Sequence, residues 1–417
     1  MGEIVHLHLG QCGVQVAAQF WPYVATEYGI QSDQTCTGPY SPHHYFHEQA
    51  DAHLVPRAVL VDTDPNSLDR VSAGAAGGMF LPESLVAGHG SCGNLWAKGM
   101  YTDGCEIGDV AWEQVRKQVE KCERLVGFQL THSLGGGAGS GLGCRMLQRL
   151  REEHCCRIVQ NFAVFPQPDH SDSVLEAYNA VLCFSEFTQH ADQVVVLDNK
   201  ALGRLCSRYL QVEPRLHHMN TLIAYALSTV TAAHRYSSQP GCSFRKLQVH
   251  LSPFFQQHFH FMTCAPVGQA EAPSSAFQLA EQVLDPLNVM CSLDSRAGHY
   301  LGALCISRGA LSLQDMDAEM RMRQDRWSPY FLPSLQERIH IAACQVPAPD
   351  YSMSGCLVGN SSAITQVLKP LQEQFSRMFR RRSYLQHYEA CGMDQMEFVE
   401  GTSVLADLIA SYEGSEV

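Results

Sequence analysis

No run in the sequence approaches the ~18 consecutive apolar residues of a membrane-spanning helix, so no membrane partner is expected. Positive charge is scarce: 29 Lys and Arg stand against 42 Asp and Glu, giving a formal net charge of -13. Such a surface repels phosphodiester backbones and argues against nucleic acid as the main ligand. The basic run Arg380 to Arg382 is expected on an outer helix, facing acidic groups or partner proteins. None of the 17 cysteines forms a C-x-x-C pair, and the adjacent Cys155 and Cys156 are not expected to turn comfortably to one metal, so no zinc centre is expected. The opening "MGEIVHLHLGQCG" lacks the basic region and long apolar run of a signal peptide, which leads to the expectation of a reduced, intracellular protein. Gly2 does not make a myristoylation signal, because His6 stands where that signal needs Ser or Thr. Histidines are plentiful but scattered, and His6, His8, His43, His44 and His47 are expected to be structural.

What is present is a core-forming composition, 45% hydrophobic, in a chain of 417 residues that is too long for one compact core. The first half repeats one theme of short apolar run, polar or Gly-rich turn and helical pattern. "EIVHLHL", "RAVLV", "VGFQLTHSL", "RIVQNFAVF" and "DQVVVL" each precede such a turn and helix. This alternation predicts a doubly wound, mostly parallel α/β sheet. Ligands of such sheets sit beyond the carboxyl ends of the strands, where Gln11, Cys12, Asp62, Asp64, Gly135 to Gly141, Asp172, Glu176 and Asn199 should converge. "HHMNTLIAYALSTVTAAHRY" predicts a central helix; "FRKLQVHLSPF", "HFHFMTCAPV", "YLGALCISRG" and "RIHIAACQV" predict strands of a second sheet; two amphipathic helices close the chain.

The glycine loop "GGGAGSG", residues 135 to 141, is the strongest chemical signal. A Gly-rich turn from strand to helix presents backbone N–H groups at the positive end of the helix dipole, which suits phosphate. Three familiar patterns fail here. A P-loop needs Gly-Lys-Ser/Thr and there is no lysine, G-x-G-x-x-G meets Ser140 where glycine is required, and G-x-S-x-G meets Ala138.

The loop resembles the tubulin signature Gly-Gly-Gly-Thr-Gly-Ser-Gly with one change, and "VPRAVLVDTDP", "WAKGMYTDG", "GFQLTHSLGGG", "FRKLQV", "GNSSAI", "MFRRRSYL" and "GMDQMEF" agree with the same family. The resemblance runs from Glu3 to about Tyr412, includes C-terminal helices absent from the bacterial relatives, and is nearest the beta branch. It implies a tubulin fold with a GTP-binding domain at 1–200, a central helix and intermediate domain at 201–360, and a C-terminal helical domain at 361–417. It implies GTP with magnesium as cofactors, held by Gln11, Cys12, Gln15, Asn94, Ser133, Gly135, Gly136, Gly137, Ala138, Gly139, Ser140, Asp172 and Glu176. Asn199 and Asn220 match the two asparagines that read guanine, and Asp64 stands where the beta branch has a glutamate near magnesium.

The resemblance also implies that GTP is hydrolysed across a subunit contact. Lys246 stands where alpha-tubulin supplies the activating glutamate, so this chain has no catalytic residue in cis and would present the lysine to a neighbour's nucleotide. Four departures bear on this. Ala138 replaces a phosphate-contacting threonine, and Leu216 falls where the family stacks a tyrosine on guanine. "VGQAEAPSSAFQ" is shorter than the family's lateral-contact loop, and the sequence reaches "SYEGSEV" where relatives carry a long acidic tail. The expectation is a divergent beta-like tubulin of the cytoplasm and cytoskeleton, pairing with alpha-tubulin and meeting other tubulin subunits and microtubule-associated proteins. The alternatives are a non-polymerising partner or cap, and a free-standing nucleotide enzyme, against which Lys246 argues.

Overall fold

The computed structural model describes all residues but 1, 32, 167–172, 237–243, 255, 269–271, 327, 333–338 and 416–417. By internal contacts the chain divides into two units, Met1–Val194 with Leu368–Leu408, and Val195–Val367 with Ile409–Val417.

The first unit begins with β1 (Glu3–Leu9), α1 (Gly10–Tyr28), β2 (Phe46–Glu48), β3 (Leu54–Pro56), β4 (Ala58–Asp62) and α2 (Pro65–Ser72). It continues with β5 (Leu85–Ala87), α3 (Trp96–Tyr101), α4 (Asp103–Glu120), β6 (Leu125–Ser133), α5 (Gly143–Glu153), β7 (Ile158–Phe165) and α6 (Glu176–His190). Its main sheet has the order β7-β6-β1-β4-β5, every printed pairing parallel, with His8 opposite Leu60 on one side and Thr131 on the other. All residues of β1 and β4 are buried, as strands covered on both faces must be. From β1 the chain runs to one edge through β4 and β5, then returns to β6 on the opposite side, so a topological switch point lies between β1 and β6.

α1 buries Val14, Ala17, Trp21, Val24 and Tyr28, a stripe spaced alternately three and four residues apart. Gly29 ends the helix at φ 68°, and its N–H returns to the carbonyls of Ala25 and Thr26. The histidines of β1 are core residues, as expected. Trp21 Nε1 donates to His8 Nε2 at 3.1 Å, and burial lowers the His8 pKa to about 3, so the ring stays neutral. His6 packs against the Tyr45 ring at 4.4 Å.

β8 (Gln193–Asp198) carries the chain into the second unit, which holds α7 (Asn199–Leu205), α8 (Leu216–Arg235), α9 (Phe244–Leu251), β9 (Phe259–Ala265), α10 (Ala276–Val283), β10 (Tyr300–Gly309), α11 (Leu313–Arg326), β11 (Ile339–Cys344) and β12 (Met353–Ser361). Its sheet is mixed: β10 pairs parallel with β11 and antiparallel with β12, which pairs antiparallel with β9. α8 is the expected central helix, buried along most of its length and packed on β10 and β12. The fully buried Arg308 donates to Ser228 Oγ at 3.2 Å and to the carbonyls of Val346 and Pro347, which disperses a charge that would otherwise be costly inside.

Sequence reasoning expected a strand at "FRKLQVHL"; the structure forms α9 there. Leu247, Val249 and Leu251 alternate like a strand, but Val249 is 64% exposed, while Phe244 and Leu251, two helical turns apart, are buried.

The last helices are α12 (Thr365–Arg380), α13 (Leu385–Glu389) and α14 (Gln395–Gly414), of which Leu368–Leu408 belongs to the first unit. They are held by rings: Tyr178 of α6 lies 5.2 Å from Phe375 and 5.0 Å from Phe398, and its hydroxyl donates to the Ser383 carbonyl at 3.0 Å.

Candidate functional site

In the first unit the glycine loop follows β6, beside the switch point. A π-type turn at Ala138–Leu142 leads into α5, so its helical N–H groups begin at the loop and give it the positive pole of the helix dipole. Gly10, φ 68°, turns the chain from β1 into α1, and a Cβ there would come within 2.7 Å of the Gly139 nitrogen. The first turn of α1, with Gln11 exposed and Cys12 and Gln15 half-buried, therefore abuts the loop. Enclosure pushes the Cys12 pKa up to about 12, so it remains a thiol at neutral pH.

A second segment closes on the loop from the other side. The Gly137 N–H donates to the Gly93 carbonyl at 2.9 Å, which places exposed Asn94 next to it, and Cys92 N–H reaches Thr63 Oγ1 at 3.3 Å. Asp64, the residue after Thr63, caps α2: its Oδ1 accepts from the backbone of Asn66 at 3.0 Å and from the Asn66 side chain at 2.7 Å. Buried Asp62 accepts from Ser67 Oγ and the Asp64 N–H, yet burial still raises its pKa. Glu176, the first residue of α6, lies against the loop, its Cδ 3.0 Å from where a Gly135 Cβ would be.

The glycines divide into two groups. Cβ atoms at Gly137, Gly139 and Gly141 would meet the carbonyl oxygens of Leu95, Ser133 and Trp96 at 2.5, 2.7 and 2.1 Å. Those three are required by the protein's own packing. At Gly136 nothing lies within 4 Å, so this is the glycine whose missing side chain opens onto free space. Ser140 is fully buried, and its hydroxyl donates to the Gly136 carbonyl at 2.6 Å.

Asn179 of α6 was missed by sequence reasoning. Its side chain donates to the carbonyls of Gly135 at 2.7 Å and Asn94 at 2.9 Å, and accepts from the Trp96 N–H at 3.0 Å and the Tyr388 hydroxyl at 2.7 Å. One fully buried amide, satisfied on both ends, thus ties the loop, the Asn94 segment and α13 together. A buried asparagine three residues after Glu176 on a helix is the only trace it leaves in sequence.

Asp172 lies outside the described residues. Asn199 and Asn220 belong to the second unit. Asn199 begins α7, exposed, after buried Asp198, whose Oδ1 caps the helix through Ala201 N at 2.7 Å. Asn220 is buried in α8, and Leu216, one turn earlier, is 56% exposed. Lys246 is exposed on α9. No group of three or more His, Cys, Asp or Glu among the described residues could hold a metal ion by itself, and none of their helices is long and apolar enough to cross a membrane.

A doubly wound sheet with a glycine loop at its switch point defines a domain class, and residues 3–207 match that of the Tubulin/FtsZ family, GTPase domain. Residues 256–373 match the Tubulin C-terminal domain. The chain is 40% identical to the tubulin beta-8 chain of Oryza sativa subsp. japonica, covering 99% of this chain and 95% of that one. It is 39% identical to the tubulin beta-3 chain of Zea mays over the same shares. The chain belongs to the tubulin family, as a divergent relative of its beta chains. Membership implies GTP as the nucleotide.

Proposed function

We propose that the chain is a beta-like tubulin subunit that binds GTP, pairs with alpha-tubulin and assembles into microtubules of the cytoplasmic cytoskeleton. The observation that carries this reading is the convergence of Gln11, Asn94, Gly135 to Gly139 and Glu176 on one cradle at the sheet's switch point, in a chain whose GTPase domain matches the family. The open face at Gly136 and the helical N–H groups that follow it are the groups for phosphate, and Ser133, Cys12 and Gln15 flank them. Ser140 acts through the loop's shape, since its hydroxyl is spent on Gly136. Asn199, Asn220 and Asp172 are assigned to guanosine by the family resemblance.

Magnesium fits this donor set only together with the nucleotide. Asp64 offers one carboxylate, partly engaged as a helix cap, and magnesium is commonly held by one or two carboxylates plus phosphates and waters. The ion would neutralise phosphate charge there.

Hydrolysis is proposed to need a partner, because the α9 position that would meet a neighbour's nucleotide carries Lys246 and supplies no general base. Multiple-turnover GTP hydrolysis by the isolated chain would overturn this part. A second reading, a subunit that pairs or caps without polymerising, is favoured by the short segment 267–278, of which 269–271 lie outside the described residues. Co-pelleting the purified chain with alpha-tubulin and microtubules separates the two. Entry into polymer supports the first; dimer left in the supernatant supports the second.

A further inference from the structure

The turn between α5 and β7 holds a pair of side chains that the nucleotide cradle does not use. The sequence leads to the expectation that adjacent Cys155 and Cys156 do not turn comfortably to one metal, which leaves open how the two thiols sit relative to each other. The structure places their sulfur atoms 3.6 Å apart, both exposed. Every other cysteine among the described residues is buried or half-buried, so these two thiols are the ones most open to a solute. The turn is braced: Arg151 donates to the Cys155 carbonyl at 3.2 Å while its guanidinium also binds the His190 carbonyl at 2.7 Å and Asp192 at 2.8 Å. The Arg157 N–H closes the turn on the His154 carbonyl at 2.9 Å. With no cluster of three metal-binding side chains among the described residues, a metal would find too few ligands here.

We propose that Cys155 and Cys156 form a vicinal dithiol that small-molecule disulfides, such as oxidised glutathione, convert to an intrachain disulfide. One cysteine thiolate attacks a sulfur of the small disulfide, forming a mixed disulfide and expelling one small thiolate. The neighbouring thiolate then attacks the protein-bound sulfur, forms the Cys155–Cys156 bond and expels the second. The two cysteine protons end on the two small thiols, so the chain loses two hydrogens and the small disulfide is reduced. The second step needs the sulfurs to close from 3.6 Å to a bond of about 2.04 Å without diffusion, and so outpaces capture of another molecule. Neighbouring Cα atoms are about 3.8 Å apart, below the usual disulfide span of about 4.4–6.8 Å. The closed ring is therefore strained and readily reduced, a reversible modification.

The test is to incubate the reduced full chain with oxidised glutathione, quench with acid, digest with trypsin and weigh peptide 152–157. The expected peptide is lighter by two hydrogens, carries no glutathione and regains its mass with dithiothreitol. Cys155→Ser and Cys156→Ser, at exposed positions, should each retain one glutathione. Phenylarsine oxide, which bridges paired thiols, should block oxidation of the parent. Retained glutathione on the parent, a chain-to-chain disulfide, or an unreacted peptide would each overturn the proposal.

Discussion

The side-chain amide of Asn179 donates to the carbonyl oxygen of Gly135 at 2.7 Å, so a neighbouring helix braces the glycine loop in addition to the bond Ser140 makes to Gly136 within it. The same side chain bonds Asn94, Trp96 and Tyr388. Asn179→Leu leaves four polar groups without this partner, those of Trp96 and Tyr388 buried, and should cost about 3 kcal/mol of unfolding free energy. Asn179→Asp keeps both accepted bonds, loses the donated ones and sets a carboxylate against two carbonyl oxygens. Both variants should bind nucleotide more weakly, as read by denaturant midpoints and nucleotide titration. Wild-type stability in Asn179→Leu would contradict the bracing role.

Glycines 136 and 141 should respond oppositely to a methyl group. Gly141→Ala drives a Cβ to 2.1 Å from the Trp96 carbonyl and should destabilise the fold by about 1–3 kcal/mol. Gly136→Ala meets no atom within 4 Å and should fold normally while losing nucleotide affinity. Comparing thermal midpoints with binding constants checks this. Equal binding by Gly136→Ala and the parent would move the phosphates away from that residue.

Ala138 lacks the hydroxyl that the family signature places at this loop position, which the proposed function assigns to the phosphates. Ala138→Thr adds a donor to a charged group and should tighten nucleotide binding about 10- to 100-fold. Isothermal titration of both forms reads the change. An unchanged constant places position 138 outside the phosphate contact.

Glu186 of α6 links pH to stability. Burial raises its pKa from 4.5 to about 7, and the nearby Glu397 charge adds to the rise, although Gln148 donates to it at 2.8 Å. Between those values the folded chain keeps a proton that the unfolded chain has released, so stability falls as pH rises and the penalty is complete above about 7. Glu186→Gln should gain up to about 3 kcal/mol over the parent at pH 8 and little at pH 4. Urea midpoints at the two pH values read the difference. A pH-independent gap between variant and parent would contradict it.

The parallel sheet, the central helix and the glycine loop were legible because each rests on local pattern: buried apolar runs, a long apolar helix face and a cluster of residues without side chains. α9 was not, since Leu247, Val249 and Leu251 alternate while burial follows the helical spacing of Phe244 and Leu251. The glycines were read as room for a ligand, but Gly137, Gly139 and Gly141 answer to backbone from Leu95, Ser133 and Trp96. Asn179 escaped because its partners lie 44 to 209 residues away in sequence. Distant contacts of that kind leave no periodicity to read.

The central claim is that this cradle holds guanine nucleotide. Purified chain should be incubated with equal GTP and ATP, separated from free nucleotide, and its bound nucleotide released with acid and identified by chromatography. Guanine nucleotide alone, in stoichiometric amount, is the predicted result; protein that is empty or carries adenine nucleotide would contradict it.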